Sequence, residues 1–296
     1  MTVHEARKMA EAFNENRNPS EEEVFLFTEA MNYLIEEEKN PADMMWLGGY
    51  YYEIHRFDLA LKYYEMAAAM DFEEAYECLG YIWYYGRTGE KDYEKAFRYF
   101  SRLMEKGHLV ATYKVADMYR NGYYVERDTD KYEEIIEELY PKVKNCRSVF
   151  DPIPEVYTRL ARIRKAQGRT EDAIDLYLAA RNCLAQRISI NAFFGNLNIM
   201  KWLIEDLYEL IEFDGELIDL FDLYYLLKTP HRVSFFCRNG EKLVVESVME
   251  GSECVINFNG RWFHNVDDFF REATIDGTKA TAIYRELYGF EVIANG

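Results

Sequence analysis

Three stretches of this chain repeat one another in register, and that repetition limits the possible folds more than any other feature. DMMWLGGYYYEI from Asp43, AYECLGYIWYYG from Ala75 and ATYKVADMYRNG from Ala111 align without gaps. Leu47, Leu79 and Val115 coincide, Gly48, Gly80 and Ala116 follow them, and Tyr51, Trp83 and Tyr119 come three residues later. A second set recurs every 36 residues: Ala60, Ala96 and Tyr132; Tyr63, Tyr99 and Ile135; Ala67, Leu103 and Leu139. Within one copy these positions run i, i+3, i+7, which places them on one face of a helix. Small residues at Gly48, Gly80 and Ala60 let two antiparallel helices approach, and Tyr51, Trp83 and Tyr63 fill the groove beside them. One such hairpin cannot bury its apolar face alone, so the copies are expected to stack.

The residues that carry the repeat also carry a family resemblance. Leu47-Gly48, Tyr51, Ala60, Tyr64 and Ala67 have the spacing of a tetratricopeptide repeat. The next copy keeps Leu79-Gly80 but has four more residues between its helices, through YYGRTGEKDYEKA. There Gly86, Asp92, Lys95-Ala96 and Tyr99 resemble the Sel-one-like repeat, a longer variant of the same hairpin. The third copy resembles a diverged member, with Ala116 for glycine and Tyr132 for alanine. A fourth hairpin, about 154–185, has Leu160, Ala161, Gly168, Ala173, Tyr177 and Ala180 at the shorter spacing, with Thr170 as the expected N-cap of its second helix. The resemblance covers about residues 40–187.

This resemblance implies a mainly α fold, an α-solenoid of antiparallel helical hairpins, with a peptide or protein ligand held on the concave face. Carried over residue by residue, the register puts Met45, Gly49 and Tyr52 on that face, then Glu77, Tyr81, Tyr84 and Tyr85, then Tyr113, Asp117 and Arg120, and last Thr158, Arg162 and Lys165. Tyrosine and arginine are enriched at binding hot spots. Tyr52, Tyr81, Tyr84, Tyr85 and Tyr113 at one end and Arg120, Arg162 and Lys165 at the other suit an extended peptide with an acidic group. The competing expectation is that the tyrosines pack between repeats and the cations pair with local acids.

The flanks read as closures of the array. An amphipathic helix from Val3 to Asn16 is expected to end at Asn18-Pro19. Ser20 and Glu23 then form a capping box for a helix through Glu38, so residues 1–39 are expected to be an N-terminal helical cap. Pro141, Pro152 and Pro154 mark 140–154 as a linker or a break in the stack. GNLNIMKWLIEDLYELIEF reads as an apolar helix and Leu217–Leu227 as its partner, stopped at Thr229-Pro230, which makes 188–230 a closing helical pair.

After Pro230 the period changes from helical to alternating. Val233, Phe235 and Cys237 alternate with other residues; turns follow at Asn239-Gly240, Glu250-Gly251 and Asn259-Gly260. Asn239-Gly240 predicts a type I′ turn. Residues 231–296 are therefore expected to be a small α+β domain with a four-stranded antiparallel β-meander. Asn265 is expected to cap a short helix through Glu272, Thr278 a second one ending at Gly289, and Phe290–Ile293 to add a last strand. Trp262-Phe263 and Phe269-Phe270 are aromatic enough for a ligand pocket, but are expected in the core of this small domain, which needs them to reach useful buried area.

Composition narrows the function. A net charge of −18 opposes binding to phosphate backbones and to anionic membrane surfaces. No stretch has the roughly 18 consecutive apolar residues of a membrane helix, and the N-terminus lacks an apolar signal core. The five cysteines, Cys78, Cys146, Cys183, Cys237 and Cys254, form no C-x-x-C pair and no metal-ligand spacing, so a reducing cytoplasm is the expected setting. No phosphate-binding, zinc-protease or nucleophile-elbow motif is present, and neither cofactor nor catalytic residue is expected. The strongest cluster for chemistry is His264 with Asp267 and Asp268, which would serve a C-terminal enzyme or small-molecule sensor regulated by the repeats. The competing expectation, a helix N-terminus favouring acids, accounts for the same residues.

Overall fold

The computed structural model of the chain describes residues 1–16, 19–212 and 218–293. The chain divides into two compact units, residues 1–135 and 136–296.

The first unit is helical. Its elements are α1 (Val3–Glu15), α2 (Glu21–Glu38), α3 (Pro41–Glu53), α4 (Phe57–Ala68), α5 (Glu73–Tyr85), α6 (Tyr93–Glu105), α7 (Leu109–Asn121) and the start of α8 (Thr129–Lys144). Consecutive helices pack as hairpins, α1 with α2, α3 with α4 and α5 with α6. The capping box expected for α2 is present, with Ser20 and Glu23 each satisfying the other's backbone N–H. Thr2 and Glu5 do the same for α1, whose C-cap is Asn16; Asn18 lies outside the described residues.

The small-residue positions work as the repeat register requires. A Cβ at Gly48 would lie 2.6 Å from the ring of Tyr64, and one at Gly80 would lie 2.5 Å from the ring of Phe100. Tyr64 and Phe100 are 36 residues apart, so these two repeats each seat a buried aromatic ring on a glycine of the preceding helix. Tyr51 stacks on Tyr63 with ring centroids 5.7 Å apart. Gly86 (φ 64°) and Gly122 (φ 68°) end α5 and α7 in the left-handed conformation, which costs glycine least.

The second unit continues α8 and holds α9 (Ile153–Ala166), α10 (Thr170–Ile190), α11 (Phe194–Leu207) and α12 (Leu220–Leu227). Here the expected boundaries change. Pro141 lies inside α8, so the break between helices is confined to about 145–152. Thr170 is the first residue of α10 and not its cap; Arg169 holds the N-cap position without a side-chain hydrogen bond. The apolar helix from Phe194 stops at Leu207 with Tyr208 as its C-cap. Its expected partner starts at Leu220, where Asp219 and Asp222 form a capping box. Phe213 and Leu217 lie outside the described residues.

The sheet has strands β1 (Arg232–Phe236), β2 (Lys242–Glu250), β3 (Glu253–Phe258), β4 (Arg261–Phe263) and β7 (Tyr288–Ile293), with β5 (Thr274–Ile275) and β6 (Thr278–Lys279) forming a separate ribbon. Its order is β4-β3-β2-β1-β7, all neighbours antiparallel. The expected meander is therefore closed on its other edge by β7, which begins two residues before Phe290. Val233, Phe235, Leu243, Val245, Ile256, Phe258 and Phe263 are buried, as are Phe269 and Phe270 of α13 (Val266–Glu272). Asn265 caps α13 as expected, accepting a 2.8 Å hydrogen bond from the Asp268 N–H.

Several expectations for this domain are corrected by the structure. Positive φ at Asn239-Gly240 falls on Gly240 alone (81°), and the Gly240 N–H donates to the Cys237 carbonyl at 2.8 Å. The loop is thus a three-residue turn closed by a left-handed glycine and not type I′. Thr278 caps no helix: Asp276 (φ 49°) and Gly277 (φ 78°) form a two-residue I′-like turn, and Thr278 pairs with Ile275. A short 3-10 turn at Tyr284–Glu286 stands where the second helix was expected. Trp262 is 58% exposed and not in the core, because strand alternation sends Phe263 inward and its neighbour out.

Candidate functional site

The tyrosines expected on one face come together around a residue that the repeat register did not select. The ammonium of Lys114, on α7, lies 5.2 Å from the ring centroids of Tyr81 and Tyr84, and 5.4 Å from those of Tyr85 and Tyr113. It donates to the Tyr85 hydroxyl at 3.2 Å. Lys114 is only 8% exposed. In the repeat it occupies the position of Trp46 and Cys78, and that break in an otherwise uncharged column is the sequence signal that marks it.

The α5 helix sets this geometry. Its buried stripe, Tyr76, Leu79, Gly80 and Ile82, fixes its rotation. Tyr81 and Tyr85 then stack one turn apart, ring centroids 5.9 Å and planes 8° from parallel. Tyr84 sits edge-on to Tyr85 at 5.1 Å. Phe100 on α6 supports both Tyr81 and Tyr84 from beneath. The cluster extends to Tyr93 and Tyr123, stacked at 4.3 Å.

Tyr52 joins through a second cation. The Arg87 guanidinium, just past the Gly86 cap, lies 5.2 Å from the Tyr85 centroid, 5.9 Å from Phe57 and 6.0 Å from Tyr52. Cations over aromatic faces gain from the ring quadrupole, most strongly where water is excluded. Lys114 also acts on Glu77, whose carboxylate lies 3.5 Å from His108 Nε2. Burial pushes the Glu77 carboxyl above the usual range, opposed by His108 and Lys114.

The three cations expected at the acidic-ligand end are placed differently. The Arg120 guanidinium lies over the Tyr132 ring at 5.5 Å. In the second unit Arg162 Nε donates to Asp206 at 2.5 Å, and Lys165 is hydrogen-bonded to Glu209. The competing expectation, pairing with local acids, therefore describes Arg162 and Lys165. Thr158 is buried, and Asp117 is buried one turn along α7 from Lys114.

Met45 and Gly49, also expected on the ligand face, line a cleft of about 650 Å³ with Phe13, Phe27, Trp46 and Tyr50. Phe13 and Phe27, both lining it, stack with ring centroids 4.1 Å apart. Glu53 is a charged residue on its wall.

The residues considered for chemistry do not converge. Asp267 accepts a 2.6 Å hydrogen bond from Tyr224, and Asp268 accepts one from Arg271. His264 is exposed beside an open apolar hollow of about 500 Å³ that includes Val248, Met249 and Trp262. Among the described residues no group of three His, Cys, Asp or Glu side chains is placed to hold a metal ion, and no helix is long and apolar enough to cross a membrane.

No protein-family model matches the chain. No curated protein matches it either. Among solved structures it is similar to a Sel1 repeat protein from Oxalobacter formigenes, at 18% identity and TM-score 0.49, over 69% of this chain and 75% of the other. It is also similar to a protective antigen present in uropathogenic Escherichia coli strains and displaying an SLR fold, at 17% identity and TM-score 0.47, over 70% of this chain and 41% of the antigen. A third similar structure is PilW, a widely conserved type IV pilus biogenesis factor, at 13% identity and TM-score 0.41, over 70% of this chain and 92% of PilW.

Proposed function

We propose that this protein is an interaction module that binds a peptide or protein segment on the face carrying Tyr52, Tyr81, Tyr84, Tyr85 and Tyr113, without catalysing a reaction. The observation that carries this reading is the gathering of four tyrosine rings within 5.4 Å of one lysine ammonium, open to solvent at Tyr85, which is 42% exposed. Rings already fixed against Phe100 lose little entropy on binding, which is what makes an aromatic face an effective contact. The nearby cleft lined by Met45 and Gly49 supports the same reading, since it suits an apolar side chain of a bound segment. In this reading residues 40–187 are the recognising repeats, 1–39 and 188–230 close them, and 231–296 is an attached domain. Arg120, Arg162 and Lys165 shape the repeats more than they meet the ligand. The five cysteines are free thiols, which supports a reducing compartment, the cytoplasm.

The test uses the full chain immobilised in a native lysate, beside a variant carrying Tyr52→Ala and Tyr85→Ala. Loss of aromatic hot-spot contacts typically costs 2 kcal/mol or more, about thirtyfold in affinity. The variant is expected to lose the captured proteins while melting within a few degrees of the parent. Capture of the same proteins by both chains would overturn the reading.

A further inference from the structure

Two cations on the tyrosine face make no direct ion pair among the described residues. Lys114 is more than nine-tenths buried, yet its ammonium makes one hydrogen bond, to the neutral Tyr85 hydroxyl. Arg87 has a buried Nε with no acceptor. Among the described residues neither makes an ion pair, whereas Arg102 and Lys106 of the same unit are paired with Asp71 and Glu73. In a chain of net charge −18, two cations left unpaired beside one ring are not explained by a shortage of acids. Glu77 acts on Lys114 at longer range, its carboxylate lying 3.5 Å from His108 Nε2.

A buried charge is costly unless it is paired. Lys114 is held by four rings, which partly offset that cost. An ammonium has three donors, and Lys114 spends one of them on Tyr85. That bond leaves the Tyr85 proton free to point at another acceptor. Arg87 presents a planar guanidinium on an aromatic platform, the form in which arginine best meets an oxyanion.

We infer that Arg87, Lys114 and the Tyr85 hydroxyl form a site for a phosphate monoester carried on a peptide. The inference rests on the interaction reading above and names the ligand class for the same face. Phosphate monoesters carry nearly two negative charges at neutral pH and several acceptor oxygens, which match two cations and a hydroxyl. A single carboxylate carries half that charge. The overall negative charge of the protein then acts as a filter. It disfavours polyanions such as nucleic acid, while a single phosphate on a peptide of mixed charge reaches the local pair.

The experiment measures retention of short randomised peptides on the immobilised full chain. One pool has a fixed central phosphotyrosine or phosphoserine, a second the unmodified residue and a third Glu-Glu. The phosphorylated pool is expected to be retained about tenfold more strongly than either control. Arg87→Gln, at a partly buried position, and Lys114→Met are each expected to remove that preference while keeping the circular dichroism spectrum of the parent. Equal retention of the three pools, retention of Glu-Glu equal to that of phosphate, or a preference that survives in both variants would overturn the inference. If Tyr52→Ala/Tyr85→Ala still abolishes capture from lysate while phosphate gives no preference, the interaction reading stands and the phosphate site does not.

Discussion

Gly80 of α5 and Phe100 of α6 meet so closely that a methyl group on Gly80 would stand 2.5 Å from the phenylalanine ring. Phe100 is fully buried, and Tyr81 and Tyr84 rest on it. Two effects compete in Gly80→Ala. Alanine gains about 1 kcal/mol in helix propensity, while overpacking a filled core costs about 1–3 kcal/mol. The ring has nowhere to move, so the clash is expected to win. Urea unfolding should show net destabilisation, and Gly80→Ala/Phe100→Leu should recover part of it. A more stable single variant would show that α5 and α6 separate easily.

Arg187 makes a second strong prediction, in the other unit. It is 7% exposed and donates to the Val149 carbonyl at 2.8 Å, the Asp151 carbonyl at 2.7 Å and Glu155 at 2.6 Å. One guanidinium therefore satisfies the segment joining α8 to α9 as well as a partly buried carboxylate. Arg187→Met leaves all three acceptors without their donor, at a cost of about 3–5 kcal/mol. Arg187→Met/Glu155→Met removes the stranded charge and is expected to be the more stable of the two variants. Chemical denaturation of the parent and both variants measures this; a double variant no better than the single one would assign the loss to the two carbonyls.

The turns can be told apart by glycine scanning. Both central residues of the β3–β4 turn have positive φ, Asn259 at 51° and Gly260 at 83°. In the β1–β2 loop only Gly240 does. Asn259→Gly is therefore expected to be close to neutral, because glycine relieves left-handed strain. Asn239→Gly adds freedom to the unfolded chain and removes the 2.9 Å hydrogen bond that Asn239 Oδ1 accepts from the Glu241 N–H, so it is expected to cost about 0.5–1 kcal/mol. Thermal melts of the two variants should rank in that order.

Those two turns also show where the sequence is legible. Asn-Gly announces a reversal at both places, but whether the turn takes two residues or three is set by strand register, which depends on partners outside the turn. Repeat geometry is more transparent. Gly48 and Gly80, with Tyr64 and Phe100 above them, are one contact used twice; the register marks the small residues, although the rings it sets beside them are Tyr51, Trp83 and Tyr63. The tyrosine face follows from the same register. Lys114 and Arg87 do not. Lys114 stands in a column that the repeat assigns to packing, and Arg87 in a loop that the repeat leaves variable. Conversely, Arg162 and Lys165 fit the pattern of ligand contacts but are claimed by Asp206 and Glu209, acids 44 residues away in sequence. A one-dimensional register can assign a side chain to a face; it cannot say which distant acid reaches that side chain first.

The last prediction concerns pH and tests the charge around Lys114 directly. Burial raises the Glu77 carboxyl above its reference of 4.5, while His108 and Lys114 pull it back. An acid whose pKa is higher in the folded chain binds protons more readily when folded, so its ionised form costs stability. That cost is fully present above the folded pKa and fades as pH falls towards 4.5. Glu77→Gln is therefore expected to be more stable than the parent near neutral pH, with the gap in melting temperature closing as the solution is acidified through that window. A gap that stays constant, or that has the opposite sign, would mean that the contact with His108 outweighs burial. Lys114→Met removes one of the two cations opposing burial, so Glu77 should titrate higher still in that variant, read by carbon-13 carboxyl NMR. A bound phosphate monoester beside Lys114 should move Glu77 in the same upward direction, because it cancels the same positive charge. The two perturbations together should be less than additive, since each removes what the other would have removed.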